Sequence, residues 1–589
     1  GELGGAGTQQ AAAAIQQFQG GGRPGGPGGP GGANSVPAGT PGGFGRGPAN
    51  PNTRQWYQGL PVPPGATANF SRRDNTNYME TGVLSALQLT STFPNLVVEN
   101  FYRKTQNSID MGKTEPPFAF VLMPNRDMTK LETLIGILRM QGIEVGRISA
   151  ELKVGNETYP AGSFLVKTDQ PYGRLARTLL RKQVYPDATL TTYDDSGWTQ
   201  GLATLVDVKE VTDKAILDAN APLVPEFKAK GSVAGSGSAG LAVAHYGSNN
   251  MISFRYALKG VAMKIAEKSF TANGVEFPAG SFVIAGAVSA DTRAAVEKYG
   301  LTAVALSELP SVPMHDGDAP RIAIYSSWNN TQDLGWYRFS FDKLGIPYDL
   351  IFKEQVTPGN LRGKYDVIIM AAQNLGRTAS LQAPASRPVP YEKTEKYKFL
   401  GDYGSSPDIS GGMGQKAVDE FAKFLDQGGT LITAGQAVTF ATEFGFAHTI
   451  DSWSDRTSQN FYAPRPIIES EIVRPEHPVF YGYADKMVPV KYLGGPLLRV
   501  GVPDQNSVLA RYVGGADSVL SGMMRSPDEI KNQPFAIDIP EAYHGHGRVL
   551  LFSSNPVYRW QNFGEFNMMF NSIMNWNDLP VAAGSGTRQ

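Results

Sequence analysis

One short phrase occurs twice in this chain and limits the folds that the chain can adopt. Residues 160–166 read PAGSFLV and residues 278–284 read PAGSFVI, 118 positions apart (278 − 160). Each copy follows a glycine-containing turn and an aromatic residue, Tyr159 or Phe277. This is the pattern of a hairpin that runs through a Pro-Gly corner into another strand. The duplication predicts two similar α+β units of about 100 residues each.

The length of the chain predicts several domains. At 589 residues it exceeds what one hydrophobic core supports, and about 150 residues per domain gives three or four. Beyond residue 320 apolar strands alternate with amphipathic helices, which predicts a parallel, doubly wound sheet. The expected fold class is therefore α/β and multidomain. The expected boundaries are 111–212 and 213–312 for the two α+β repeats and 319–580 for the doubly wound domain.

The N-terminal part of the chain divides into two contrasting stretches. Residues 20–52 consist mainly of Gly, Pro, Ala, Asn and Ser without apolar periodicity, so we expect a disordered insertion there. After residue 71 the apolar spacing predicts a helix that stops near Pro94, followed by a second helix over 95–109. The side chains expected to face inward on the first helix are Tyr78, Val83, Leu84 and Leu87.

Composition excludes some functions. The formal net charge is −1, which favours neither a nucleic-acid partner nor a polybasic membrane contact. The chain has no cysteine, which removes disulfides, thiolate nucleophiles and cysteine metal ligands. No run of about 18 apolar residues occurs, so the sequence predicts no membrane-spanning helix. The first residue is Gly1 without a leader sequence, so we expect a fragment or a processed product.

The six histidines do not form a recognisable metal motif. His448 and Asp451 have H-x-x-D spacing, and His544 and His546 alternate as on a strand, but no third ligand accompanies either pair. The sequence therefore predicts satisfied loop histidines rather than a zinc site. We expect no metal ligand and no cofactor-binding residue in this chain.

The turn after the apolar strand at 430–433 is the position at which a doubly wound domain can present a nucleophile. Here it reads Ala-Gly-Gln-Ala, with Gly435 near the apex and neither Cys nor Ser. A close backbone approach between strand and helix is the favoured interpretation. The alternative is a small-molecule or sugar contact that also uses Trp328, Asn329 and Asn330, at the end of the first strand of the domain.

Six phrases occur in order along the chain: SRRDNTNY at 71–78, NFYR at 100–103, GKTEPPFAFV at 112–121, YPAGSF at 159–164, DQPY at 169–172 and YDDSGW at 193–198. Together they resemble large bacterial zinc carboxypeptidases of the carboxypeptidase A superfamily, and the resemblance covers nearly the whole chain. It implies that a peptidase domain, of which residues 1–110 would be the last third, precedes a duplicated α+β region and a domain similar to class I glutamine amidotransferases.

The resemblance also implies an activity and its location. The family cleaves C-terminal peptide bonds of peptide or protein substrates with zinc-activated water, and its zinc ligands, H-x-x-E and a later His, would lie before Gly1. Glu2, in the phrase GELGGAG, matches the family's general base. The expected protein is thus part of a secreted or periplasmic zinc carboxypeptidase, with zinc in the parent and none here, and inactive alone. Without a cysteine at the Gly435 turn, the amidotransferase-like domain would lack glutaminase activity.

A second hypothesis remains open. The chain would then be a non-catalytic module that binds a ligand or another protein through its inactive amidotransferase-like domain. An upstream H-x-x-E with a third histidine in the same gene would favour the peptidase, and a natural start near Gly1 would favour the binding module.

Overall fold

The computed structural model describes residues 72–579 except positions 186, 188, 190–197, 330, 455–457, 459 and 545. The chain divides into two compact units, residues 1–107 and 108–589. Glu2 and the stretch 20–52, for which the sequence predicts a catalytic base and a disordered insertion, lie outside the described residues.

Two long helices, α1 (Arg72–Thr92) and α2 (Pro94–Thr114), confirm the helices predicted for this part of the chain. The prediction of which side chains they bury is wrong. The four large apolar side chains expected to face inward are 57–68% exposed. Spacing of apolar residues fixes a helix, but whether a neighbouring layer covers its apolar side chains is a tertiary property. These side chains are Tyr78, Val83, Leu84 and Leu87.

The first α+β region is a four-stranded sheet in the order β2-β5-β1-β6, in which neighbouring strands are antiparallel. Helix α3 supplies buried leucines and an isoleucine to the core beneath this sheet. The elements are β1 (Ala119–Leu122), α3 (Met128–Met140), β2 (Gly146–Arg147), β3 (Leu152–Val154), β4 (Glu157–Tyr159), β5 (Phe164–Lys167), α4 (Gly173–Leu180), α5 (Gln200–Thr204) and β6 (Val208–Val211).

The second α+β region has a six-stranded sheet in the order β14-β9-β12-β8-β13-β7. Its four inner strands lie in the order β9-β12-β8-β13. This repeats the order β2-β5-β1-β6 of the first sheet, because β8, β9, β12 and β13 succeed one another along the chain as β1, β2, β5 and β6 do. The elements are β7 (Ser232–Ala234), β8 (Gly240–Val243), α6 (Asn250–Ala257), β9 (Lys264–Ala266), β10 (Phe270–Ala272), β11 (Val275–Phe277), β12 (Phe282–Ala285), α7 (Ala290–Lys298), β13 (Thr302–Leu306) and β14 (Met314–Asp316).

The two PAGSF phrases form corners of the same geometry. Gly162 and Gly280 both have φ +91°, a backbone conformation that side chains disfavour. The serine that follows each glycine is buried, and its hydroxyl donates to the carbonyl oxygen of the phrase's own proline, at 2.8 Å for Ser163 and 2.6 Å for Ser281. The phrase is therefore a structural corner in both places, and its serine hydroxyl closes the corner onto the proline.

The rest of the chain is built on a sheet in the order β16-β15-β17-β18-β26-β25-β23-β20-β21. The elements are β15 (Ile322–Tyr325), α8 (Gln332–Leu344), β16 (Asp349–Ile351), α9 (Lys353–Val356), α10 (Leu361–Lys364), β17 (Val367–Met370), α11 (Arg377–Ser380), α12 (Gln415–Asp426), β18 (Thr430–Ala434), α13 (Val438–Glu443), β19 (Ile450–Trp453), β20 (Ile467–Ile472), β21 (Met487–Lys491), β22 (Leu497–Val500), β23 (Val508–Tyr512), β24 (Val519–Ser521), β25 (Pro534–Tyr543), β26 (His546–Phe552) and α14 (Phe566–Met574).

The first five strands of this order are parallel, which confirms the predicted doubly wound sheet. Strands β17 and β18 are buried along their whole length, as expected where helices cover both faces of a sheet. The sequence analysis missed the antiparallel continuation through β25, β23, β20 and β21. Within the described residues, no helix has the length and apolarity that crossing a membrane requires.

Candidate functional site

In the parallel part of the sheet the order of strand addition reverses at β15: β16 lies on one side of it, whereas β17 and the later strands lie on the other. Ligands of doubly wound folds bind outside the carboxyl ends of the strands at such a reversal. Here the side chain of Gln373, which is fully buried, occupies this point. Its Oε1 accepts from the backbone N–H of Ser327 at 2.7 Å, and its Nε2 donates to the carbonyl oxygen of Tyr325 at 2.9 Å. The crevice is therefore closed at its base by a side chain of the protein.

Above this point lies an aromatic cluster, which we define as Trp328, Phe352, Tyr391 and Tyr403. The Trp328 ring stacks on Phe352, with a centroid distance of 4.2 Å and an interplanar angle of 16°. The rings of Tyr391 and Tyr403 lie 5.5 and 6.2 Å from that of Trp328. The indole N–H of Trp328 donates to Glu354 Oε2 at 3.2 Å. The cluster thus combines ring surfaces with a carboxylate.

Neighbouring side chains hold the aromatic cluster in place. The Ser406 hydroxyl donates to the other oxygen of Glu354 at 2.5 Å, and the Ser326 and Tyr403 hydroxyls are 2.9 Å apart. The Arg338 guanidinium lies 5.0 Å from the centre of the Tyr403 ring. Trp328 is half-buried, so part of the aromatic surface of the cluster is accessible to a ligand.

Two other residues were predicted to contact a ligand beside Trp328. Asn329 is exposed at the same edge of the sheet. Asn330 lies outside the described residues. Of the predicted set, only Trp328 is therefore placed by the structure in the aromatic cluster.

The turn at Gly435 follows β18 and lies against the segments that follow β17 and β26. Gly435 has φ +54°, and its N–H donates to the carbonyl oxygen of Ser554 at 2.9 Å. A Cβ at this position would lie 2.7 Å from the Cβ of Ala372, closer than such atoms come in folded proteins. Both the backbone conformation and the space therefore favour glycine, and a nucleophilic side chain here would be strained and would displace Ala372.

A buried carboxyl group, which the sequence analysis missed, lies immediately before α14. Glu565 is 3% exposed, and its Oε1 accepts from the backbone N–H of Lys491 at 2.9 Å. Burial raises the pKa of Glu565 to about 8. The backbone N–H and the charge of Lys491 and the side chain of Asn562 act in the opposite direction, but their effect is smaller. Glu565 is therefore largely protonated at neutral pH. An acidic residue directly before a helix in which six of nine residues are apolar is the signal that could have identified it.

The histidines have different surroundings, and the pair that alternates in sequence, His544 and His546, is exposed. His245, His315 and His477 are buried, whereas His448 is exposed and His544 Nδ1 lies 3.4 Å from Asp426. Among the residues that the structure describes between 72 and 579, no three His, Asp or Glu side chains are grouped to hold a metal ion.

The described residues therefore do not fit the zinc ligand set that the family resemblance implies, and we derive no hydrolytic step through that metal. What the carboxyl edge offers chemically is stacking on aromatic rings and hydrogen bonding to Glu354. Glu2, the predicted general base, lies outside the described residues.

Comparison with known proteins gives limited results. No protein-family model matches the chain. No curated protein matches it either.

Solved structures match the chain with low sequence identity and low TM-scores. A beta-galactosidase from Bacillus circulans sp. alkalophilus has 12% identity and a TM-score of 0.25, with 44% of this chain and 31% of that one covered. PurLQS from Thermotoga maritima has 15% identity and a TM-score of 0.26, with 44% and 99% covered. A ThuA-like protein from Parabacteroides merdae has 10% identity and a TM-score of 0.27, with 45% and 92% covered. The chain spans about a third of the length of the beta-galactosidase. Overlaps of this extent assign neither a family nor an activity.

Proposed function

We propose that this chain is the accessory, C-terminal portion of a secreted or periplasmic zinc metallocarboxypeptidase, whose zinc ligands come from another segment of the same enzyme. The enzyme would remove residues from the C-termini of peptides or proteins, with Glu2 as its general base. The ordered set of phrases from 71–78 to 193–198 supports this proposal. On its own the chain should not hydrolyse peptides.

One structural observation carries the proposal, the exposed apolar surface of α1 and α2. Twelve large apolar side chains of residues 72–107 are 38–68% exposed. No charged residue occurs between positions 81 and 98. Soluble proteins rarely leave such a large apolar surface uncovered. The twelve side chains are Tyr78, Met79, Val83, Leu84, Leu87, Leu89, Phe93, Leu96, Val97, Val98, Phe101 and Tyr102.

The distribution of these side chains indicates what covers them. At 100° per residue, the apolar positions of α1 spread over more than half of the helix circumference rather than forming one stripe. A helix of this kind belongs to the interior of a layered domain, where it has neighbours on more than one side. The missing neighbours would be the zinc-binding layers of the peptidase domain.

The Gly435 turn supports an accessory role for the doubly wound domain. In an amidotransferase-like fold this turn would have to expose a nucleophile, and here a side chain would collide with Ala372. The domain is therefore proposed to support the peptidase or to bind a ligand, without covalent catalysis at this position.

The test is co-expression of the 589-residue chain with the coding sequence immediately upstream of Gly1 in its gene. We expect that sequence to encode H-x-x-E and a later His, and zinc-dependent release of C-terminal amino acids to require both parts. Leu84→Glu with Leu87→Glu should prevent their association, whereas Gln88→Glu on the same helix should not. Release of amino acids by the chain with zinc alone, or no such upstream motif, would refute the proposal.

The aromatic cluster favours a second candidate, a module that binds a small polar ligand such as a sugar. Stacked rings beside a carboxylate suit the apolar faces and hydroxyl groups of a sugar ring. A panel of mono- and disaccharides titrated into the chain should quench Trp328 fluorescence if this is correct. Trp328→Phe should abolish that change and Trp576→Phe should preserve it. Quenching that persists in Trp328→Phe, or none with any sugar, would exclude the candidate.

A further inference from the structure

A long loop contacts the carboxyl edge of the doubly wound sheet and supplies half of the aromatic cluster. Residues 381–414 connect α11 to α12, and both Tyr391 and Tyr403 belong to this loop. At the base of the loop the N–H of Gly412 donates to the carbonyl oxygen of Gln382 at 2.9 Å, which holds its two ends together. Loops of more than about 15 residues in compact domains are usually functional, as binding segments or lids.

The inner half of the loop, residues 402–410, is attached to the body of the domain. Ser406 is buried, and its hydroxyl donates to Glu354 Oε1 at 2.5 Å. The ammonium group of Lys353 donates to the carbonyl oxygen of Ser410 at 2.7 Å. Both partners belong to helix α9, so this half of the loop is fixed by polar contacts with the domain.

The outer half of the loop, residues 385–399, has different surroundings. All of its residues are exposed except Tyr391, which is half-buried. The side chains of Tyr397 and Phe399 are 52% and 85% exposed. The ring of Tyr391 lies 5.5 Å from that of Trp328 and is tilted by 46° to it, so this side chain connects the outer half to the aromatic cluster. Segments with so few buried apolar contacts open most easily in native proteins.

Backbone hydrogen bonds join the outer half to the inner half. Pro388 and Pro390 have no N–H, so Val389 and Tyr391 supply the backbone donors of this stretch. The N–H of Tyr391 donates to the carbonyl oxygen of Ser406 at 2.9 Å, and the N–H of Ser406 donates back to that of Tyr391 at 3.1 Å. The outer half is thus held by the inner half rather than directly by the sheet.

The side chain of Asp408 completes this junction. Its Oδ1 accepts from the backbone N–H of Val389 at 3.0 Å, from that of Ser410 at 3.0 Å and from the Ser410 hydroxyl at 2.6 Å. These hydrogen bonds, with that of the Ser410 hydroxyl the strongest, lower the pKa of Asp408 to about 2. The carboxylate is therefore charged at neutral pH, and hydrogen bonds to a charged acceptor are stronger than those between neutral groups. One carboxylate thus clasps the two halves together.

We propose that residues 385–399 form a flap that controls the access of polar ligands to Trp328. Asp408 is the clasp of this flap, and the Tyr391 ring is its cover over the indole. When the clasp opens, the Tyr391 ring leaves Trp328 while the inner half stays attached to α9. Phe352 already stacks on one face of the indole, so the surface that the flap uncovers is the one that a ligand can use. The role of the flap as a gate rests on the ligand-binding module proposed above. Its tests need no sugar, so failure of the flap and failure of the module are distinguishable.

Hydrogen exchange of the full chain measures whether Asp408 holds the flap. In Asp408→Ala the amides of Tyr391 and Ser406 should exchange at least about tenfold faster, because the hydrogen bonds to the carboxylate are lost. The amide of Gly412, at the base of the loop, should keep its native rate. Asp402→Ala removes an exposed acid of the same loop and should leave all three rates unchanged. Native rates at Tyr391 and Ser406 in Asp408→Ala, or an equal acceleration at Gly412, would overturn the flap.

Quenching of tryptophan fluorescence by acrylamide, a small neutral amide, measures access to the indole. The chain has seven tryptophans, so the contribution of Trp328 is obtained by difference from Trp328→Phe in each background. Quenching of Trp328 should increase in Asp408→Ala and in Tyr391→Ala. Tyr397→Ala removes an exposed ring of the same half of the loop and should not change it. Native quenching of Trp328 in either Asp408→Ala or Tyr391→Ala would show that the flap does not cover the indole, and the proposal would be wrong.

Discussion

Helices α1 and α2 and the carboxyl edge of the doubly wound sheet depart from the usual distribution of side chains in opposite directions. The helices expose large apolar side chains, whereas the edge buries Gln373 and Glu565. Both buried side chains hydrogen-bond to backbone groups of the chain itself, so each has a partner inside the protein. The apolar side chains of the helices, in contrast, are not covered by any neighbouring segment among the described residues. The comparison indicates that the helices need a partner, whereas the buried polar side chains of the sheet have their partners within the chain.

The largest expected effect concerns the buried carboxyl group. The pKa of Glu565 in the folded protein, about 8, is above its ordinary value of 4.5. The stability gained from its bound proton is therefore fully present below pH 4.5 and is lost as the pH rises to 8. Glu565→Gln should remove this loss and increase the free energy of unfolding above pH 8 by up to about 5 kcal/mol. Denaturant unfolding at several pH values measures it.

A surface control separates this effect from general changes in charge. Glu395 is exposed, so Glu395→Gln should leave the pH dependence of unfolding unchanged. If Glu565→Gln shows the same decline between pH 4.5 and 8 as the native chain, Glu565 is not the group that titrates.

The next effect tests whether the Gly435 turn is closed. Gly435→Ala should destabilise the protein by roughly 1–3 kcal/mol, because the added methyl group collides with Ala372 and the backbone has positive φ. Ala372→Gly in the same background should restore part of the loss by removing the collision. Thermal unfolding of the two variants measures both steps. Native stability in Gly435→Ala would show that the turn has room for a side chain.

The smallest effect on stability is expected at the helices. Leu84→Glu with Leu87→Glu should change the free energy of unfolding of the 108–589 unit by no more than about 0.5 kcal/mol, since both side chains are exposed. The same variant should bind less of a dye specific for apolar surfaces. Leu134→Glu, at a fully buried position, is the opposite control and should prevent folding of the first α+β region. Equal losses in both variants would mean that the helices are packed after all.

Features that depend on neighbours in sequence could be predicted. Examples are the PAGSF corners, whose Ser163 hydroxyl bonds three residues back, and the buried strands β17 and β18. Gln373 and Glu565 could not be predicted as buried polar centres, because their partners Ser327 and Lys491 are 46 and 74 positions away. The roles of polar side chains in this protein are set by such distant contacts.

By itself the sequence determined the helices, the apolar strands and the parallel character of the doubly wound sheet, because each follows from local periodicity. Only the tertiary structure decided that α1 is exposed and that His245 and His315 lie beside Asn571 and Asn575, 326 and 260 positions away. Periodicity indicates which side chains need a neighbour. The packing of distant segments decides which neighbour that is, and it sets the protonation state of buried titratable groups.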